Sequence, residues 1–476
     1  MILILPTTFF LLFLHFYKKN IKRLALINSF LILSFQIFFI TELLTFFKYL
    51  NSYTVFCSHL FFAIFYYFYF SPRIYKQKIK INSLDFLDKT ILSFISFISA
   101  TTLITAIISP PNNWDSMSYH LSRVQHWIQN SGVSFFDTNN FRQNLFSPFG
   151  EFIILHTQIL SNSDVFANSV QWFSFIICMS AMSLICKELG LSRRLQLFSA
   201  FFICSMPIVI LEASSTQNDI ILSAFILLFY YYQLCSIKNP SQLNLVFSGL
   251  SLGLGVLTKG TSYVFLFSIG VTFFIYSIIY NYSISRKTVL HRTIIIFFIG
   301  LATNIPHFTR SFIKYDNFLG LNINQIHANE VFSFFTIFSN FVRHLAFQLG
   351  SNIELLNWYL YRIVKIFLGE NISDPRTSFL DQDFRPPFFS LHEDAASNVI
   401  HTVLISTFFL FSFFLFKKIK QEQKTSFWIS SLSILLYCLL FKWQPWTGKI
   451  LSLLIIVTPF TLIVVSYSFK KKMLKK

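Results

Sequence analysis

The chain has 476 residues, of which 54% are apolar, 19% aromatic and only 12% Asp, Glu, Lys or Arg. Soluble domains carry about 25% charged residues, so a soluble globular fold is excluded; thirteen glycines, thirteen prolines and six cysteines also exclude a fibrous, low-complexity or disulfide-stapled chain. The net charge of +18 does not point to nucleic acid, because much of it lies in short runs between apolar segments, where it sets membrane orientation.

A helix needs roughly 20 apolar residues to cross a hydrocarbon core about 30 Å thick. Runs of that kind predict an all-α polytopic membrane protein with about 13 transmembrane helices, near 1–17, 25–47, 54–71, 90–109, 165–188, 197–216, 220–237, 244–258, 261–280, 293–308, 398–416, 426–443 and 449–468. The first segment begins apolar without a basic leader, so it reads as a span rather than a cleaved signal. With Lys18, Lys19, Lys22 and Arg23 placed in the cytoplasm, alternation sends 72–89, 189–196, 238–243, 281–292, 417–425 and 470–476 to the same side. Together with Lys187 these stretches hold 25 of the 38 basic residues. The opposite, outer side receives two long loops, 110–164 and 309–397. One segment breaks the alternation: 146–162 is apolar but carries Glu151, His156 and Gln158. A crossing there would move Arg193 and Arg194 outside, so it is expected to be a half-inserted or re-entrant helix lining a cavity.

In the first outer loop Pro110 and Pro111 end the preceding span, and Asn113 suits the N-cap of a helix over 114–129. Asp115, Tyr119 and Ser122 or Arg123 share one face at i, i+4 spacing. Leu121, Val124 and Ile128 form an apolar stripe, which predicts a helix lying flat at the interface with Trp114 and Trp127 at headgroup depth. Asp115 then sits where a lipid-linked head group arrives, and a carboxylate there is a candidate general base; a helix-start Asp is the simpler alternative. Asp219 falls at the outer end of a span, as a functional acid or a turn residue. Glu212 lies deeper, without an obvious partner in sequence. Lys259 stands among Gly253, Gly255 and Gly260, which permit close helix packing; its ammonium needs an anion such as phosphate, or a route to the interface. Lys442, Trp443, Trp446 and Lys449 are cations and indoles on the outer side, either an anion site or interfacial anchors. The second loop holds Arg343, His344, Arg362, Arg376, Asp381, Asp383, Arg385, His392, Glu393 and Asp394, with no compact metal-ligand spacing. The cysteines read as buried thiols. No P-loop, dinucleotide glycine pattern or GxSxG appears.

Four stretches in order, WDSMSYHLSRVQHWIQNSGV, QNDIILSAFILLFYY, GLGVLTKG and KWQPWTGKILSLL, resemble the GT-C glycosyltransferases. The likeness is to family 39, which includes protein O-mannosyltransferases and lipid A aminoarabinose transferases. The resemblance divides the chain into additional N-terminal helices (1–89), a GT-C-like catalytic transmembrane core (90–308) with interfacial helices in outer loop 110–164, a second outer loop (309–397) and C-terminal helices (398–476). It implies a sugar carried on a polyprenyl phosphate, an acceptor hydroxyl on a lipid, glycan or protein, inversion at the anomeric carbon, and no requirement for a divalent metal. Asp115 is the implied base. Tyr119, His120, Arg123, Arg142, Asp219, Lys259 and Lys449 are the implied substrate-binding residues. A bacterial inner (plasma) membrane location follows, with the site on the extracytoplasmic side. The chain departs from the pattern at Ser116, where many members carry a second acid, and at Lys449, where Arg is more frequent; Lys gives up bidentate phosphate binding. A polysaccharide polymerase or ligase using the arginines of 309–397 is the rival enzyme reading. A lipid or solute transporter is the third, but it calls for midplane charges and internal repeats that the sequence lacks.

Overall fold

The computed structural model describes all residues except 19, 71–83, 281–283, 320–326, 389, 394 and 474–476, together with the side chains of 381, 447, 449 and 470–473. The described residues form an all-α bundle, with two isolated bridges, Ala328–Phe441 and Ser378–Trp443, as the extended pairings. The first four helices are α1 (Ile4–Tyr17), α2 (Lys22–Phe46), α3 (Ser52–Phe70) and α4 (Phe86–Ile108). The first long loop carries α5 (Leu121–Gln129), α6 (Arg142–Leu145) and α7 (Phe149–Ser161). Then come α8 (Ser169–Glu188), α9 (Arg193–Cys204), α10 (Pro207–Glu212), α11 (Asp219–Lys238), α12 (Gln242–Val256), α13 (Ser262–Ile279) and α14 (Arg286–Tyr315). The second long loop contains α15 (Phe334–Gln348) and α16 (Glu354–Leu368), and the chain closes with α17 (Val399–Leu415), α18 (Gln421–Leu440) and α19 (Leu451–Met473).

Among the described residues nine helices are long and apolar enough to cross a membrane, and the protein is an integral membrane protein. The other four expected spans fall short for identifiable reasons. Helices α1 and α12 have 14 and 15 residues. Helix α18 has 20 residues but begins Gln-Glu-Gln-Lys. The segment expected at 197–216 is broken: Met206 is extended at φ −65°, ψ 123°, and Pro207 starts a new six-residue helix. Proline lacks the N–H that a continuous helix needs and pushes its predecessor out of the helical region.

Helix α7 has 13 residues, about 20 Å at 1.5 Å per residue, and it is buried on nearly every side. It is therefore too short to cross, as the charge pattern required. The contacts sort the loops into two ends. At one end Lys238 meets Glu422 at 2.9 Å, Arg23 reaches Gln196 at 3.1 Å and Arg194 pairs with Asp85. At the other end Arg310 holds Glu42 through both oxygens at 2.7 and 2.8 Å. There the first loop is tied to the end of α2 by Val133 N–H donating to Thr45 Oγ1 at 3.1 Å. The grouping is the one that alternation of spans predicts.

Helix α11 is the hub. It is buried all round from Asp219 to Tyr232, as an apolar helix at the centre of a bundle must be, and α8, α12, α13 and α19 surround it. The first three helices join the core through α2 and α3. A buried polar chain links them to α7: Tyr66 OH donates to Gln36 Oε1 at 3.0 Å, Gln36 meets His59 at 2.8 Å, His59 meets His156 at 2.8 Å and His156 meets Thr41 at 2.9 Å. Interhelical hydrogen bonds of this kind hold helices together where no hydrophobic drive exists between them. Of the six cysteines, Cys57 is exposed on α3 and Cys235 half-buried, so the expectation of six buried thiols holds for the other four.

The glycines before Lys259 differ in role. A Cβ on Gly253 would stand 2.0 Å from Thr303 Oγ1 and 2.9 Å from the Gly300 carbonyl oxygen, whereas one on Gly260 meets nothing within 4 Å. Close packing of α12 on α14 thus depends on Gly253, and Gly260 has no such duty. Gly253→Val is expected to lower stability by about 1–3 kcal/mol through overpacking, read as a lower thermal midpoint, while Gly260→Ala leaves the midpoint unchanged.

Candidate active site

Pro110 and Pro111 stop α4, and the Asn113 side chain caps the next helix by accepting from Ser116 N–H at 2.6 Å. That helix runs from 114 to 129, as the cap signal predicts, but Ser116–His120 form a π turn. Single π turns inside α-helices are rare and frequently mark functional sites. Asp115 lies at the start of this turn. Its Oδ2 accepts from Tyr119 OH at 3.0 Å, and Arg142 Nη1 approaches its Oδ1 at 3.4 Å. The Arg142 guanidinium also stands 5.2 Å over the Tyr119 ring. Helix α6 holds Arg142 there because Gln143 Nε2 donates to Ser118 O at 2.8 Å and to Ser122 Oγ at 2.9 Å. Burial, followed by the nearby Asp115 and Glu151 carboxylates, raises the Tyr119 phenol well above its ordinary value, so it stays protonated and donates.

The next layer down is one that the sequence reading assigned differently. His120 and Arg123 are fully buried and do not line the cavity described below. Both bond Glu151 Oε1, at the first turn of α7. Arg123 donates further to the carbonyls of Phe146 at 2.8 Å and Ser147 at 3.1 Å, and its guanidinium lies 5.3 Å over Trp127. Burial opposes ionisation of Glu151, but Arg123 and His120 outweigh it and hold the carboxyl well below the usual range. Trp127 is buried rather than at headgroup depth, while Trp114 is exposed. The sequence signal for this cluster was an acid in an apolar run, which demands a partner, beside a His and an Arg at i, i+3 on a neighbouring helix.

Asp219 is the first residue of α11, where a carboxylate is favoured by the helix dipole. Lys259 Nζ donates to both of its oxygens, at 2.6 and 2.7 Å. The hydroxyls of Thr216 and Ser116 are bonded, which ties the loop before Asp219 to the π turn. Phe149 N–H donates to Leu257 O at 2.8 Å, which ties α7 to the Lys259 segment. Glu212 accepts from Gln171 Nε2 at 3.0 Å, and the same Gln171 accepts from the N–H groups of Ile220 and Ile221 at 3.1 Å each. Asp115, Arg142, Tyr119, Asp219 and Lys259 are therefore brought to one region. The side chain of Lys449 lies outside the described residues; its neighbour Gly448 abuts Glu212, since a Cβ there would be 2.6 Å from Glu212 Oε1.

A cavity of about 590 Å³ opens on this region. Tyr119, Lys259, His327 and Gln444 supply polar lining, and Phe146, Phe267 and Leu440 belong to its apolar majority. Asp115 stands one hydrogen bond behind Tyr119. A second, apolar groove of about 410 Å³ between α13 and α14 shares Tyr263, Phe267 and Phe308 with the cavity. His327 and Gln444 were not expected from the sequence; they meet at 3.3 Å only because the second loop folds back over the end of α18. Arg343 and Arg376 of that loop serve it internally. Arg343 is buried and donates to Asn340 Oδ1 at 2.6 Å, Ser378 Oγ at 2.7 Å, and Thr377 Oγ1 and O at 2.9 and 3.1 Å. Arg376 clasps Asp374 at 2.8 Å, and Lys442 holds Glu330 at 2.6 Å. Trp443 is buried against Phe347 and Phe384 rather than anchoring at an interface. His392 stands 3.8 Å from Glu393, and Asp394 is outside the described residues.

Comparison with known proteins agrees with the fold. The family model described as dolichyl-phosphate-mannose-protein mannosyltransferase matches residues 147–307, which include Asp219 and Lys259 and begin after Asp115. Among curated proteins no sequence matches the chain. The crystal structure of ArnT from Cupriavidus metallidurans bound to undecaprenyl phosphate superposes with a TM-score of 0.50 at 10% identity, covering 80% of this chain and 60% of that one. Its apo form gives 0.50 at 10% identity, covering 81% and 63%. The archaeal oligosaccharyltransferase AglB from Archaeoglobus fulgidus, in complex with an inhibitory peptide and a dolichol-phosphate, gives 0.48 at 10% identity, covering 82% and 51%. The chain thus spans about 60% of the ArnT length. The expected resemblance to GT-C glycosyltransferases holds for the fold and for this family match.

The Glu151 cluster yields a stability prediction. Removing one member of a buried charge cluster leaves the other uncompensated, at a cost of roughly 3–5 kcal/mol. Glu151→Ala should therefore lower the thermal midpoint sharply, and adding Arg123→Leu to it should restore part of the loss. Strict additivity of the two substitutions in thermal unfolding would show that the pair is not coupled.

Proposed function

We propose that the protein is a membrane glycosyltransferase of GT-C type that moves a sugar from a polyprenyl-phosphate donor to an acceptor hydroxyl. The observation that carries this reading is the Asp115–Tyr119 hydrogen bond at 3.0 Å behind the wall of a largely apolar cavity that Lys259 also lines. The donor class draws support from the matched family model and from the fold shared with an ArnT structure described as bound to undecaprenyl phosphate. The face is taken from the distribution of Lys and Arg: the loops that carry the site are the acidic, extracytoplasmic ones.

The chemistry follows from the groups present. Asp115, ionised, accepts the proton of the acceptor hydroxyl as its oxygen attacks the anomeric carbon from the face opposite the phosphate. The new glycosidic C–O bond forms as the bond to the phosphate oxygen breaks, inverting the centre, and the electron pair leaves on a polyprenyl phosphate monoester. In this reading Lys259, on the cavity wall, and Arg142, beside Asp115, stabilise the charge that develops on that phosphate. Two donors of the Lys259 ammonium are accounted for by Asp219; an ammonium has three. Arg142 and Tyr119 fix the Asp115 carboxylate in one orientation, which a base needs if attack is to occur in one geometry. With cations supplying the charge stabilisation, the reaction as drawn includes no divalent metal.

The test is transfer of sugar from a polyprenyl-phosphate donor by the purified protein in lipid, compared with Asp115→Asn. General-base catalysis contributes roughly 10²–10⁴-fold, so kcat should fall by that factor with binding of the donor retained. Equal turnover removes the base assignment. Loss of turnover in Arg362→Ala or Arg376→Ala instead, with Asp115→Asn unaffected, would move the chemistry to the second loop.

A further inference from the structure

Helix α16 (Glu354–Leu368) lies in the second loop, outside the candidate site, and it has three faces. Asn357, Val364 and Leu368 form a narrow buried stripe, with Val364 and Leu368 joining Phe347, Ile372 and Trp443 in a small apolar cluster. Leu355, Tyr359, Ile363 and Ile366 share another face at i, i+4, i+8, i+11 spacing, and all four are exposed, Ile366 to 80%. Along the border of that face run Trp358, Arg362 and Lys365, also exposed, with the Arg362 guanidinium 4.9 Å over the Trp358 ring. Among the described residues neither Arg362 nor Lys365 forms an ion pair.

A helix bathed in water places its apolar stripe inward and its charges outward. Here the widest apolar face points away from the protein. An apolar sector bordered by Trp, Tyr and cations is the make-up of a helix lying in the plane of a bilayer surface. The aromatic rings favour the headgroup level, and Arg and Lys extend their stems along the apolar layer to place their charges in the phosphate layer. The position of α16 fits. It packs on α15, and α15 is pinned to the end of α18, itself packed against the candidate spans α13 and α19, by Asn340 Nδ2 donating to Cys438 O at 2.8 Å and to Phe441 O at 3.1 Å. The chain runs from that end into the candidate span α19, so α16 is held at the end of the bundle where a membrane-crossing helix begins.

The geometry points to α16 as an in-plane membrane anchor, with Leu355, Tyr359, Ile363 and Ile366 in the acyl layer and Arg362 and Lys365 on the phosphate of an acidic phospholipid. The anchor is joined to the cavity wall, because the Val364–Leu368 stripe rests on Trp443 and the next residue, Gln444, lines the cavity. This inference does not rest on the proposed transfer reaction.

The test uses the full chain in nanodiscs of phosphatidylcholine, alone or mixed with phosphatidylglycerol. The emission of Trp358, obtained by subtracting Trp358→Phe from wild type, should be quenched about twofold or more by lipids brominated on the acyl chain. No quenching overturns the anchor, and no quenching together with a stable dimer assigns the face to a second copy instead. Phosphatidylglycerol should raise the thermal midpoint of wild type by several degrees more than that of Arg362→Gln/Lys365→Gln; equal rises overturn the headgroup assignment. Native mass spectrometry of wild type needs no variant: preferential retention of phosphatidylglycerol supports the assignment, and retention in proportion to the mixture overturns it.

Discussion

Charge matching in places sealed from water is the constraint on which this molecule depends. An ionised group buried alone is expensive enough to unfold a marginal structure, and four acids at the loop end of the bundle have a cation within reach. Glu151 has Arg123 and His120, Asp219 has Lys259, Glu42 has Arg310 and Asp115 has Arg142. These pairs also decide where the helices stand. The first fastens helix 114–129 to α7, the second joins α11 to the segment after α12, and the third ties α14 to α2. With those three fixed, the π turn at Ser116–His120 has a rigid floor beneath it, and Asp115 is held at one orientation rather than many.

The architecture was largely legible because its cause is local. Apolar runs set the helices, Lys and Arg runs separate the two ends, and Asn113 marks a cap that the structure contains. The i, i+4 relation of Asp115 and Tyr119 is likewise a property of one helix. What the sequence does not display is the choice of partner between distant segments. It says that Glu151 and Lys259 each need an opposite charge, but not that the partners are 28 to 40 positions away on other helices. For that reason His120 and Arg123 read as binding residues, whereas both side chains turn to Glu151, away from the cavity lining. Likewise Gly260 reads as a packing glycine beside Gly253, and only the proximity of Thr303 separates the two. The break at Pro207 was visible as a residue type, yet the apolar run around it concealed a span divided in two.

The second loop contributes shape more than charge. Arg343, buried among hydroxyls, carbonyls and an amide, organises the turn at Thr377–Ser378, and this turn pairs with Trp443 through the Phe379 N–H to Trp443 O bond at 3.0 Å. The result is a roof whose underside presents His327 and Gln444 to the cavity. With Arg343 and Arg376 engaged inside the loop, the cavity wall draws its ammonium from Lys259, and Arg142 of the first loop stands beside Asp115 behind Tyr119.

The Asp219–Lys259 contact has a kinetic corollary. Any anion arriving at Lys259 has to divide one ammonium with a carboxylate that already occupies two of its N–H bonds. Such a rivalry caps the grip on a charged guest: the incumbent reclaims its partner as the guest departs. Fast turnover of tenants at that wall, rather than tight tenancy, is what this arrangement favours.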